Sequence, residues 1–83
     1  MKKRKLLQKA ITSPKNFRFG DMVTLVEAFG FRLSRTGGSH HVFVHPDVAE
    51  LVNLQEVGGK AKPYQISQFL RLVERYNLEL REE

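Results

Sequence analysis

The sequence predicts an α+β fold: a three-stranded antiparallel sheet with helices packed on one face, in the order helix, helix, strand, strand, strand, helix. Three observations predict it. Apolar residues recur at helical spacing near both ends of the chain and alternate with polar ones between them. Short turns containing Gly or Pro separate the alternating runs, so the strands join as hairpins and pair antiparallel, with helices on one side. The 83 residues leave room for one domain and a thin core.

The first helix is expected over residues 2–12, where Leu6, Leu7, Ala10 and Ile11 keep helical spacing and the lysines fall elsewhere. Ser13-Pro14 ends it, because the residue before proline disfavours the helical region. Residues 13–20 form a connector. Asp21 reads as the N-cap of a second helix, whose Met22, Leu25, Val26 and Phe29 make one apolar stripe. Gly30 stops it, since glycine enters the left-handed region without steric cost. Strand chemistry follows. Phe31 and Leu33 alternate with Arg32 and Ser34. Thr36-Gly37-Gly38-Ser39 turns the chain, and His40 to His45 is a second strand. Pro46-Asp47 turns it again, and Leu51 to Gln55 is the third strand. Gly58-Gly59 precedes a last helix that opens at Pro63, where a missing N–H costs nothing. Its stripe is Ile66, Phe69, Leu70, Val73 and Tyr76, and Asn77 is its stop.

Composition narrows the function classes. With 41% hydrophobic and 28% charged residues the chain reads as folded and soluble. It has no cysteine, which excludes disulfides, thiolate chemistry and a zinc site built on Cys. No apolar run reaches the roughly 18 residues needed to span a bilayer. The basic start is not followed by the apolar stretch of a secretory leader. A cytoplasmic protein without a membrane segment is expected.

Fourteen Lys and Arg stand against nine Asp and Glu, a net charge of +5. The excess lies at the start. Residues 1–20 contain Lys2, Lys3, Arg4, Lys5, Lys9, Lys15 and Arg18 and no acid. Such a segment either contacts a polyanion, most often nucleic acid, or simply keeps the chain soluble.

All three histidines fall within six residues: His40, His41 and His45. Metal binding is disfavoured, because no Cys and no carboxylate nearer than Asp47 completes a ligand set. A packing role is the ordinary reading of a strand histidine. General acid–base catalysis is the third, since imidazole titrates near neutrality. The neighbours suit it. Gly38 and Ser39 make a turn whose backbone N–H groups can meet a phosphate, and Arg35 adds charge. A histidine, a bare turn and cations are the parts needed to cut RNA through its own 2′-hydroxyl. Strand alternation separates the histidines. Phe43 is expected to face the helices, with His41 and His45 beside it, and His40 shares the other face with Val42 and Val44. A catalyst must meet solvent, which favours His40; an inverted sheet gives the role to His41.

Gly38-Ser39-His40-His41-Val42-Phe43 followed by His45-Pro46 resembles the Gly-Ser-His-His element of HicA-type toxins from bacterial toxin–antitoxin pairs. Gly59-Lys60-Ala61-Lys62-Pro63-Tyr64-Gln65 and Ser13-Pro14-Lys15-Asn16-Phe17-Arg18-Phe19 are similar to a longer branch of that family. The resemblance covers residues 13–80 well and residues 1–12 poorly. It implies a double-stranded-RNA-binding-domain-like fold over 21–80, while the length gives a single domain 1–83 and the residue pattern a basic helix at its start, residues 1–12. It also implies an mRNA interferase that cleaves messenger RNA with one histidine, His40 or His41, without metal or cofactor. A HicB-type antitoxin, encoded nearby, is the implied partner. This sequence departs from short members in the milder basic run Gly58-Gly59-Lys60-Ala61-Lys62.

Expected RNA contacts are therefore Arg35, Gly38, Ser39, Lys60 and Lys62, with Lys2, Lys3, Arg4 and Lys5 from the basic start. Lys60 and Lys62 precede a helix N-terminus, which favours anions. The competing class is a non-catalytic RNA-binding or antitoxin-binding module of the same fold, which would not need the histidine strand.

Overall fold

The structure, a computed structural model, describes residues 2–81. Helices α1 (Lys3–Thr12) and α2 (Phe19–Ala28) precede β1 (Arg32–Gly37), β2 (His40–His45), β3 (Val48–Val57) and β4 (Lys60–Ala61); α3 (Pro63–Arg75) follows. The sheet is antiparallel, in the order β1-β2-β3-β4. All three helices pack on one face. Their stripes meet the inward residues of the sheet in one core that includes Leu6, Phe17, Met22, Leu25, Phe29, Phe43, Leu54, Ile66 and Phe69. Phe29 and Phe69 meet edge to face with ring centroids 5.6 Å apart, and Phe31 stands at the same distance from Phe69. Aromatic pairs favour this arrangement because ring edges are positive and faces negative.

Four details differ from the sequence expectation. The sheet has four strands, not three. The fourth is the two-residue β4, too short for an alternation pattern to reveal, and it pairs Glu56 with Ala61 and Val57 with Lys60. β3 spans Val48–Val57 rather than 51–55, because it pairs along its length first with β2 and then with β4. The N-cap of α2 is Arg18 and the helix starts at Phe19; Asp21 lies in the first turn, where its charge still complements the helix dipole. The earlier start follows from the sheet. The Phe19 N–H donates to the Gly59 carbonyl at 2.9 Å, and the Ala61 N–H donates to the Phe17 carbonyl at 3.0 Å. Finally, Ile11 is 61% exposed although it continues the α1 stripe. Leu6 and Ala10 alone reach the core from that helix as fully buried residues.

Helix ends follow the sequence. Gly30 (φ 96°) follows α2, and its N–H donates to the Glu27 carbonyl at 3.0 Å. After α3, Asn77 takes φ 52°, while the Leu78 N–H donates to Val73 at 2.9 Å and the Asn77 N–H to Glu74 at 3.3 Å. That pair of bonds is the Schellman arrangement, which satisfies the last carbonyls of a helix.

Candidate functional site

The β1–β2 hairpin positions the histidines. Its turn is the pair Gly38-Ser39, with Gly38 at φ 59°. A glycine with positive φ at the first central position suits the right-handed twist of a two-residue hairpin. Pairing of Gly37 with His40 and of His40 with Gln55 then fixes which way each side chain points.

His40 is exposed on the face that no helix covers. Its Nδ1 lies 3.3 Å from the Asn53 side-chain oxygen on β3. In the tautomer whose Nδ1–H donates to that oxygen, Nε2 is the ring nitrogen that can accept a proton. His41 points the other way. It is half-buried, its ring 4.8 Å from that of Phe19, and its Nδ1 is 3.3 Å from the Ser39 carbonyl. His45 is 8% exposed. Its Nδ1 accepts the Asp47 backbone N–H at 3.0 Å, and its ring stands edge-on to Phe31 at 4.9 Å. A Cβ on Gly30 would come within 2.9 Å of the His45 Nε2, so the glycine that ends α2 also makes room for this ring. The alternation predicted from Phe43, which is 1% exposed, therefore describes the strand.

The other expected contacts divide between two sides of the molecule. Arg35 pairs with Val42 and so shares the open face with His40. Lys60 pairs with Val57, on the outward parity of β3, and is exposed. Its Nζ donates to the Asn16 side-chain oxygen at 2.7 Å. Gly38 and Ser39 are exposed at the hairpin tip, with the Ser39 carbonyl accepting the Glu56 N–H at 3.0 Å. Lys62, between β4 and α3, is half-buried with Nζ 5.8 Å from the Tyr64 ring centre. Lys2, Lys3, Arg4 and Lys5 open α1, which packs on α2 and α3. The structure does not bring these four together with His40, which is on the opposite face of the sheet. Among the described residues no three His, Asp or Glu side chains converge in a metal-binding arrangement.

One residue of the open face, Asn53, escaped the sequence reading, and another, Arg18, was read only as part of the basic start. Asn53, which holds the His40 ring, carried a signal only in the alternation of a strand whose length was underestimated. Arg18 lies between Phe17 and Phe19, both buried, and is itself exposed. That alternation of aromatic and cation was the signal for an extended segment.

The sequence model of the family described as the HicA toxin of bacterial toxin–antitoxin systems matches residues 19–74, well over half of the chain. This chain belongs to the HicA toxin family. Comparison with curated proteins and with solved structures gave no match. The HicA span opens at the first residue of α2 and closes within α3, so it includes the whole sheet and the Gly-Ser-His-His hairpin. Helix α1 and the connector before Phe19 lie outside it. Membership in the HicA family places the chain among the toxins of toxin–antitoxin pairs and implies a cognate antitoxin. No helix among the described residues is long and apolar enough to cross a membrane.

Proposed function

We propose that this HicA-family toxin is a metal-independent endoribonuclease that cleaves mRNA, with His40 as the general base. One observation carries the reading. His40 alone of the three histidines is exposed, and its Nδ1 is engaged by Asn53, which leaves Nε2 as the nitrogen for the substrate. His41 and His45 are occupied in packing. In the reaction Nε2 takes the proton of a 2′-hydroxyl as its oxygen bonds to phosphorus. The bond to the 5′-oxygen breaks, and that oxygen leaves with a proton from water. The products are a 2′,3′-cyclic phosphate and a 5′-hydroxyl. Arg35 and the backbone N–H groups at Gly38-Ser39 supply positive charge where the phosphorane forms. Lys60 and Lys62 attract the strand, and the lysines of α1 add a longer-range field.

A HicB-type antitoxin covering the open face would account for its apolar residues. Leu51 and Val57 are 56% and 51% exposed there, on β3, and Arg32 and Arg35 stand on the same face on β1. Induced expression of the wild-type chain, His40→Ala and His41→Ala, with growth and RNA integrity followed, tests the reading. Growth arrest with RNA fragmentation is expected from the wild type and His41→Ala and not from His40→Ala. Equal arrest by the wild type and His40→Ala, with intact RNA, would favour the non-catalytic binding module.

A further inference from the structure

The connector before α2 does not wander over the surface. Residues 17–19 run along the free edge of β4, held by the Phe19–Gly59 and Ala61–Phe17 backbone bonds, and Arg18 forms an antiparallel bridge with Lys60. Bridged partners project to the same side of a sheet. Phe17, Phe19 and Ala61 are buried toward the helices, so Arg18 and Lys60 both project outward. Lys60 is opposite Val57, two residues along β3 from Gln55, and Gln55 is opposite His40. Arg18 and Lys60 thus stand on the face that carries His40. With strands about 4.8 Å apart and about 3.3 Å per residue, Lys60 is on the order of 12 Å from His40 at the backbone, and Arg18 is one strand further.

No described carboxylate pairs with Arg18 or Lys60, and no outward strand position carries one. Lys60 is instead steadied by a neutral acceptor, the Asn16 amide oxygen, in a turn where Asn16 takes φ 63°. Arg18 and Asn16 both precede the span shared with the family.

We propose that Arg18 and Lys60, with Asn16 positioning the lysine, form a phosphate subsite for single-stranded RNA. It takes a backbone phosphate of the strand outside the one cut at His40. This rests on the RNA-cleavage reading and extends the bound strand across the sheet to the connector. Arginine at its edge offers a bidentate fork to phosphate, and lysine a point charge. Such contacts position the strand without reading its bases.

The test uses the full chain carrying His40→Ala, which binds without cutting, and a short fluorescein-labelled single-stranded oligoribonucleotide. Affinity is measured by anisotropy over a range of NaCl concentrations. Each lost phosphate contact on a single strand lowers the salt slope by about 0.7. Arg18→Gln and Lys60→Gln, added singly, are each expected to lower the slope by about that amount. Both are expected to weaken binding several-fold for every sequence tried. Arg18→Lys, which keeps the charge, should retain the slope, and so should Arg71→Gln on the exposed side of α3. Unchanged slopes in Arg18→Gln and Lys60→Gln would overturn the subsite and leave the RNA reading standing. An equal loss in Arg71→Gln or Arg18→Lys would also overturn it. No RNA binding by either the wild-type or the His40→Ala chain would overturn both.

Discussion

His40 and His41 are adjacent in the chain and opposite in the sheet, so the same substitution has different consequences at each. His40→Ala removes an exposed imidazole whose side-chain partner is Asn53. Its expected effect is a fall in cleavage rate of about 10²–10⁴-fold, the usual contribution of a positioned general base, with the melting temperature unchanged. His41→Ala opens space beside Phe19, so its expected effect is a loss of about 1 kcal/mol in urea unfolding with cleavage retained. A lowered melting temperature in His40→Ala would contradict the assignment. At this scale the sequence was legible wherever alternation applied. Phe43 as the inward residue was enough to place His40, His41 and His45. Asn53 was not legible, because a single polar residue on a strand has no pattern of its own, and its partner is set by register.

The elements are joined by contacts that differ in character. Helix α1 is tied by packing: Leu6 is 1% exposed and Ala10 is 2% exposed. Deleting residues 1–12 would therefore open the core as well as remove charge. Leu6→Ala should cost about 2–5 kcal/mol, and Phe29→Ala or Phe69→Ala about 3–5 kcal/mol, measured by denaturant unfolding. The end of α3 is tied to β3 by polar contacts. The Tyr76 hydroxyl donates to the Glu50 carboxylate, and the Arg75 guanidinium meets the other carboxylate oxygen at 2.7 Å. The tyrosine hydrogen bond, with help from the Arg75 charge and against desolvation, holds the Glu50 carboxyl below its ordinary value of 4.5. The same bond raises the Tyr76 hydroxyl above its ordinary 10.0. Glu50 is the depressed case, so its stabilisation is present above about 4.5 and lost as pH falls through the lower folded value. Tyr76 is the raised case, so its stabilisation is present below about 10 and lost as pH rises past the higher folded value. Unfolding of Glu50→Gln followed from neutral to acid pH should show a shallower decline than the wild type. Parallel curves would show that the contact contributes nothing.

Across the whole molecule, the order of elements was readable because each change of period coincides with a turn residue: Gly30, Gly38, Pro46, Gly58 and Pro63. What stayed hidden is what joins elements distant in sequence. The bridge of Arg18 to Lys60 joins segments some 40 residues apart, and no local spacing announces it, while β4 pairs with β3 across Gly58-Gly59 and is hidden by its length of two residues. The consequence is a molecule with two charged sides. The α1 lysines are on the helix layer, and Arg18, Arg32, Arg35 and Lys60 are on the open sheet with His40. The proposal that RNA is cut on the sheet side is tested most directly by incubating purified wild type, His40→Ala and His41→Ala with a single-stranded RNA in EDTA and measuring the cleavage rates. Cleavage by the wild type and His41→Ala, leaving 2′,3′-cyclic phosphate ends, with His40→Ala slower by at least about 10²-fold, is the expected result. Undiminished cleavage by folded His40→Ala, or loss confined to His41→Ala, would contradict it.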